Sequence, residues 1–173
     1  MIKTIRVMLI PNDKQQTRLF QFAGTARFAY NWALEQEKKS YGAGGTFIND
    51  YELRKRFTVF KQEADNKWLY TISNNVCKQA VKDAVDAYQK FFKGLSKHPK
   101  YKSRKRSKPS FYVDPLKIKF TGTHVKLENI AKAKRRTASA PTGSDLRNMN
   151  EYLWTLSIPI LMSHLTALTG FLP

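Results

Sequence analysis

The most strongly charged stretch of the sequence runs from Lys97 to Phe111 and reads KHPKYKSRKRSKPSF. Its basic side chains are Lys97, Lys100, Lys102, Arg104, Lys105, Arg106 and Lys108, and no acidic residue interrupts them. Such a cluster can neutralise several phosphates, and counterion release would then make the affinity fall steeply with salt. Tyr101 and Phe111 could stack on unpaired bases. The alternative is a solvated charge run or a localisation-like tract.

The composition of the whole chain favours a polyanionic partner. The 173 residues include 31 Lys and Arg against 13 Asp and Glu, which gives a net charge of +18. After residue 137 the only formal charges are Asp145, Arg147 and Glu151, so the positive charge lies in the first 137 residues. A domain this basic most often meets nucleic acid, with an anionic membrane as the second possibility. The aromatic content of 13% predicts a folded core rather than disorder.

A second group of polar residues falls at the start of a predicted helix near Ser73. Asn74, Asn75, Lys78 and Lys82 recur there at spacings that place Asn75, Lys78 and Lys82 on one face. Backbone N–H groups at a helix N-terminus favour phosphate, and asparagine can form paired hydrogen bonds to adenine. An ordinary solvent-exposed face explains the pattern equally well.

Arg27 and Asn31 form a third candidate, four residues apart on one helix face. They could clamp an RNA or DNA backbone. Alternatively they form a buried, hydrogen-bonded pair that positions the helix against a neighbour. The large apolar residues beside both of them favour this second interpretation.

Catalytic chemistry is not expected from these residues. Hydrolysis with two metal ions needs clustered carboxylates, whereas Glu35, Glu52, Asp83 and Asp86 lie among Lys and Arg on predicted helices. The three histidines lack a partner at metal-ligand spacing, and the single cysteine, Cys77, excludes both an internal disulfide and a four-cysteine zinc site. Cys77 lies on the apolar side of its helix, which predicts a buried structural thiol. We therefore expect no catalytic residue, metal or cofactor.

The order of predicted elements is strand, three helices, basic loop and strands. Residues 2–10 alternate as a strand does, and Asn12 with Gln15 predicts a capped helix that runs to about Tyr41. Further helices are predicted over 50–62 and 73–93. LKIKF and HVKL, joined by TGT, predict a hairpin. From Ala138 the sequence ASAPTGSD is typical of a linker.

Two other patterns bear on packing. The first helix is apolar on two sides, with Phe28 and Trp32 nearly opposite the stripe that contains Leu19 and Phe22, so it should lie between two layers. The last part of the chain, LWTLSIPILMSHLTALTGFL, contains twenty residues without a formal charge. That length reaches a membrane span, but Pro159, His164 and Gly170 favour a loosely docked or disordered tail.

Five segments together resemble one family. They are ARFAYNWAL (26–34), KWLYTI (67–72), DAYQKFFKG (86–94), HPKYKSRKRSKPSF (98–111) and HVKLENI (124–130). In this order they resemble the N-terminal part of OrfB/TnpB-type transposases of bacterial and archaeal insertion sequences, whose first segment is commonly called a helix-turn-helix domain. The resemblance covers about residues 1–136, and it makes Arg27 and Asn31 a signature pair. It also implies that Asn74, Asn75 and Lys78 lie near the short DNA motif beside the element.

The resemblance implies an α+β fold: a small β-barrel-like wedge with an inserted three-helix lobe, followed here by an irregular tail. The strand lobe would comprise 1–11 and 111–136, the helical lobe 12–95, the basic loop 96–110 and the unmatched tail 137–173. Complete family members are RNA-guided DNA nucleases with a RuvC-like domain and a zinc ribbon. After Arg136 neither a RuvC pattern nor a CxxC pair appears. HVKLENI also has Glu128 and Asn129 where the family usually has proline and glycine.

We therefore expect a nucleic-acid-binding fragment, associated with DNA transposition by resemblance and lacking the catalytic half. Its expected partners are a guide-type RNA, DNA at an insertion-sequence end, or both, in the cytoplasm and near the nucleoid. One alternative is an RNA-binding regulator that competes with a full-length relative. Another is a basic membrane-associated protein. The sequence leaves the oligomeric state open.

Overall fold

The computed structural model describes residues 2–121, 124–135 and 155–161. Their contacts divide the chain into two compact units. Unit 1 combines Met1–Gln16 with Asp114–Pro173, and unit 2 is Thr17–Val113. The finer division predicted above, with its separate basic loop and unmatched tail, stays a prediction.

Unit 1 is built on five antiparallel strands. They are β1 (Ile2–Ile10), β2 (Lys119–Thr121), β3 (His124–Leu127), β4 (Ile130–Arg135) and β5 (Thr155–Leu161), in the order β2-β3-β4-β1-β5. The predicted first strand is confirmed, and so is the pairing of the β2–β3 hairpin, with Phe120 opposite Val125. The predicted extent of its first strand is wrong, because Pro115–Lys117 forms a 3-10 helix and β2 begins at Lys119. Sequence reasoning missed β4 and β5, and β5 pairs with β1 from Ile2 opposite Leu161 to Met8 opposite Thr155.

The turn between β3 and β4 contains Glu128 and Asn129. Asn129 has φ of 58°, in the left-handed region that glycine adopts most readily. Asparagine is among the few other residues that tolerate this region. Asn129 can therefore adopt this conformation at a position where the resemblance led us to expect glycine.

The predicted fold class is wrong. Most of the regular structure in the described residues is helical, and their strands do not close into a β-barrel-like wedge: β2 and β5 are the two edges of an open order. Closure of a barrel would require every strand to pair on both sides. Among the described strands, β2, which has only three residues, pairs with β3 alone. The expected irregular tail is also corrected in part, because Thr155–Leu161 forms β5. The rest of that tail lies outside the described residues.

Helices make up unit 2, which contains most of α1 (Asp13–Gly42) together with α2 (Asp50–Phe60) and α3 (Asn74–Phe92). The three predicted helices are confirmed. A 3-10 helix over Ala64–Thr71 was not predicted. At the start of α1 the Asn12 amide donates to Gln15 Oε1 and the Gln15 amide donates to Asn12 Oδ1, each at 2.9 Å. This reciprocal pair is the capping box that the sequence predicted.

The packing of unit 2 explains the two apolar sides of α1. One side is buried in the core; the buried residues of the three helices include Leu19, Phe22, Ala29, Ala33, Leu53, Val76, Val81 and Ala84. On the other side, Trp32 meets Phe57 with ring centroids 4.9 Å apart, and Phe28 meets Trp68 at 5.4 Å. The prediction that α1 lies between two layers is therefore confirmed.

Within the described residues, no helix combines the length and the apolar character that crossing a bilayer would require.

Candidate nucleic-acid interface

The basic loop, residues 96–110, begins directly after α3. Gly94 ends that helix with φ of 70°, and the Leu95 amide donates to the carbonyl of Lys90 at 2.9 Å. This is a Schellman-type ending, in which a residue in the left-handed conformation satisfies the last carbonyls and turns the chain away. The direction in which the basic loop leaves α3 is thus set by the backbone of Gly94.

A small turn presents the most basic part of the loop. The Ser103 amide donates to Ser107 Oγ at 3.0 Å, the Ser107 amide donates to the carbonyl of Ser103 at 3.0 Å, and the Arg106 amide donates to Ser103 Oγ at 3.1 Å. Between these two serines stand Arg104, Lys105 and Arg106, all exposed. The serine hydroxyls therefore hold three consecutive cations on a defined surface turn.

Lys102 differs from its neighbours in the loop. Its backbone N–H donates to Asn31 Oδ1 at 2.8 Å, and its carbonyl accepts from Asn31 Nδ2 at 2.9 Å. Its ammonium lies 4.0 Å from the centroid of the Tyr30 ring, and burial lowers the pKa of Lys102 below the usual range of lysine. Lys102 thus anchors the loop to α1, and its predicted contact with phosphate stays a prediction.

Both the oxygen and the nitrogen of the Asn31 amide take part in this contact. A backbone N–H can only donate and a carbonyl can only accept, so the Lys102 backbone fixes which end of the Asn31 amide carries oxygen. Asn31 thus positions α1 against the basic loop, which is one part of the second interpretation left open above. Whether Arg27 and Asn31 contact nucleic acid stays a prediction. Arg27 does not take part in this contact, and both Arg27 and Asn31 line a groove along α1.

Tyr101 provides a second attachment of the loop to α1. Its hydroxyl donates to Glu35 Oε2 at 2.5 Å. This hydrogen bond stabilises the ionised form of Glu35 and so lowers its pKa, while it raises the pKa of Tyr101 to about 12. Tyr101 as a whole residue remains 47% exposed. Phe111, by contrast, packs on Phe22 with ring centroids 5.2 Å apart, so its expected role in base stacking is not supported.

The start of α3 contains the second candidate group. Ser73 caps the helix by accepting a hydrogen bond from the Asn75 amide at 3.3 Å. The side chain of Asn74 accepts a hydrogen bond from Lys61 Nζ at 2.8 Å. Lys78 is exposed, and Lys82 lies 3.9 Å from Asp86 in an exposed ion pair. Whether these residues contact nucleic acid stays a prediction.

Sequence reasoning missed Lys61, which is only 5% exposed. Its ammonium lies 5.0 Å from the centroid of the Tyr70 ring in addition to its hydrogen bond to Asn74. No local pattern identifies it, since Lys61 follows α2 in a run of ordinary polar residues. Its only signal is tertiary: buried lysines require a polar partner.

The remaining loop cations, Lys97, Lys100 and Lys108, are exposed. His98 lies against aromatic rings instead of a metal-ligand set, with ring centroids 5.4 Å from Tyr88 and 5.0 Å from Phe91. Across the part of the chain that the structure describes, no group of three or more His, Cys, Asp or Glu could hold a metal ion. Cys77 is buried as predicted, and burial raises its pKa to about 11.

The sequence of this chain is similar to that of known proteins. Residues 1–46, which comprise β1, α1 and the start of the following loop, match the family model of the OrfB-type helix-turn-helix domain. A protein named as the RNA-guided DNA endonuclease InsQ, from Escherichia coli (strain K12), is 23% identical over 142 residues, 82% of this chain. A protein from Streptomyces pristinaespiralis, named as an RNA-guided DNA endonuclease, is 28% identical over 108 residues, 62% of this chain.

These alignments cover only 35% and 27% of the two relatives, so the chain spans a minor part of their length. The matched helix-turn-helix domain lies at the N-terminus, where the five segments of sequence begin their resemblance. The resemblance inferred from those segments is confirmed: this chain carries an N-terminal region of the OrfB/TnpB type.

Proposed function

We propose that this protein binds nucleic acid, and that the basic loop supplies its main contacts with phosphate. The observation that carries the proposal is the serine-held turn, which presents Arg104, Lys105 and Arg106 side by side and exposed. Arginine and lysine donors on a fixed turn suit the closely spaced phosphates of a nucleic-acid strand.

The attachment of the loop supports this proposal. Asn31 and Tyr101 fasten the loop to α1 on the N-terminal side of the turn. A loop that is already ordered loses less conformational entropy when it binds, which improves affinity. The net charge of +18 adds a long-range attraction for polyanions that salt would screen.

The identity of the nucleic acid is part of the proposal. The two relatives are named as RNA-guided DNA endonucleases, so a guide-type RNA and DNA at an insertion-sequence end are the partners to test first. We further propose that the chain binds without cutting, in the cytoplasm and in association with the nucleoid. A cleavage assay with Mg²⁺ on a bound duplex tests whether the chain binds without cutting, and specific cleavage products would contradict that proposal.

The central experiment measures binding of the full chain to labelled hairpin RNA, single-stranded RNA and duplex DNA over a salt series. The test variant carries Arg104→Ala, Lys105→Ala and Arg106→Ala. Each lost phosphate contact should reduce the slope of log K against log salt by roughly 0.7 to 0.9. We therefore expect the slope to become shallower by about 2 to 3 in the triple variant.

A matched control separates local contact from total charge. Lys14, Lys55 and Lys67 are exposed cations outside the loop, and their replacement by alanine removes the same amount of charge. The control variant should keep nearly the whole slope. Equal slopes in both triple variants would refute the loop as the contact surface, and absence of binding at low salt would refute nucleic-acid binding itself.

A further inference from the structure

A groove of about 1110 Å³ runs along the side of α1 that contains Phe28 and Trp32 in unit 2, next to the basic loop. Tyr101 of the loop forms part of its lining, as does Arg27. The groove and the loop are therefore continuous within one compact unit. Of the candidate residues identified from the sequence, Arg27 and Asn31 lie in its lining.

The floor of the groove is aromatic and internally packed. Trp68 meets Phe28 edge-on with ring centroids 5.4 Å apart, Phe28 stacks on Phe60 at 6.1 Å, and Phe60 meets Trp32 at 5.5 Å. Each ring is thus held by a neighbour. Trp68 is nevertheless 45% exposed, which leaves indole surface available to a ligand on a support that does not need to rearrange.

The polar groups of the lining favour an anionic ligand. Arg27 makes no hydrogen bond or ion pair with any described residue, and it lines the groove. The acidic side chain in the lining, Glu35, already accepts a hydrogen bond from Tyr101 and lies 3.7 Å from Lys39. A guanidinium is therefore available to a ligand, whereas the carboxylate is already paired.

We propose that this groove receives unpaired bases of a single-stranded segment whose phosphates lie on the basic loop. The inference rests on the proposed function and adds to it a preference for unpaired over duplex nucleic acid. Proteins that bind single strands combine a cationic path with aromatic rings on which bases stack. Bases within a duplex are already stacked on one another, so their faces are not available to an indole ring.

The test uses the full chain and three labelled ligands of equal phosphate number: a single strand of about 12 nucleotides, within the range of known single-strand sites, an abasic strand, and a duplex. Trp68→Ala should weaken binding of the base-containing strand about tenfold, within the range measured for a stacked base. Its binding of the abasic strand and of the duplex should be unchanged. Trp68→Phe, which keeps an aromatic face, should retain most of the affinity.

Two further variants sharpen the result. Arg27→Gln should weaken binding of the base-containing strand without a change in thermal stability, since no described residue pairs with Arg27. Tyr51→Ala removes an aromatic residue that is 72% exposed and does not line the groove, and it should have no effect. This control excludes a general contribution of surface aromatic residues.

The experiment can refute the groove proposal and the loop proposal separately. The groove proposal is overturned if Trp68→Ala weakens binding of the abasic and base-containing strands equally, or weakens binding of neither strand. If the loop triple variant still weakens binding of both strands, the proposed binding of nucleic acid by the basic loop stands. If wild-type protein binds none of the three ligands at low salt, the proposed function fails. If the groove binds a protein segment instead of bases, Trp68→Ala should not weaken binding of the base-containing strand selectively.

Discussion

Replacement of Asn31 by alanine tests whether this residue anchors the basic loop or contacts nucleic acid directly. The change removes two hydrogen bonds, of 2.8 and 2.9 Å, between α1 and the backbone of Lys102. Each hydrogen bond contributes about 1 kcal/mol net, so detachment of the loop becomes easier by about 2 kcal/mol, or roughly 30-fold. Alanine forms helix better than asparagine by roughly 0.6 kcal/mol, so the free energy of global unfolding should fall by about 1.4 kcal/mol.

The assay is hydrogen exchange over residues 96–110, combined with denaturant unfolding of the full chain. Asn31→Asp keeps the acceptor for the Lys102 N–H but loses the donor to the Lys102 carbonyl, so it should give an intermediate increase in exchange. Gln36→Ala serves as the control: Gln36 lies on α1, lines the same groove, and makes no hydrogen bond within the described part of the chain. Its loop exchange should match that of the wild-type protein.

The result that refutes the reasoning is unchanged exchange over 96–110 in Asn31→Ala. If the same variant also loses affinity for nucleic acid, Asn31 contacts the ligand directly and the first interpretation of the signature pair is correct. If exchange rises and affinity falls together, loss of loop order explains the lower affinity, because the loop must then be ordered during binding.

Three other predictions concern stability. Burial raises the pKa of Glu37, whose side chain is 2% exposed and accepts a hydrogen bond from the Ile48 amide. The folded state therefore binds this proton more tightly than the unfolded state, so stability should fall as pH rises from the ordinary glutamate range through the raised pKa. Glu37→Gln should remove that part of the pH dependence in denaturation curves, and an unchanged pH profile would contradict it. Gly94→Ala should lower the free energy of unfolding by about 1 kcal/mol, because L residues are strained at φ of 70° even where space is open; Gly42→Ala, with equally open space and without a positive φ, should not lower it. Asn129→Gly should change the free energy of unfolding by less than about 0.5 kcal/mol, because the freedom of glycine at φ of 58° is offset by the entropy that it adds to the unfolded chain; a larger loss of stability would show that the Asn129 side chain stabilises the turn.

The prediction of individual elements succeeded where local patterns decide the conformation. Asn12 and Gln15 identify the start of α1 because capping is an interaction between near neighbours. The glycine after α3 and the alternation of the β2–β3 hairpin are equally local. The fold class was wrong because strand pairing is not local: β5 joins β1 across most of the chain, and nothing in the alternation of a strand specifies its distant partner or whether a set of strands closes.

The candidate site divides in the same way. The sequence alone determines the number and sign of the charges in residues 97–108, the absence of acids among them, and the single cysteine. These features are sufficient to predict a polyanionic partner. Only the tertiary structure distinguishes Lys102 and Lys61, whose ammonium groups lie over aromatic rings, from the exposed cations of the turn. The physical reason is that a lysine carries the same charge in any sequence, whereas its solvation depends on which distant side chains surround it. The contact of Asn31 with Lys102, across 71 residues of sequence, is likewise a property of the folded chain.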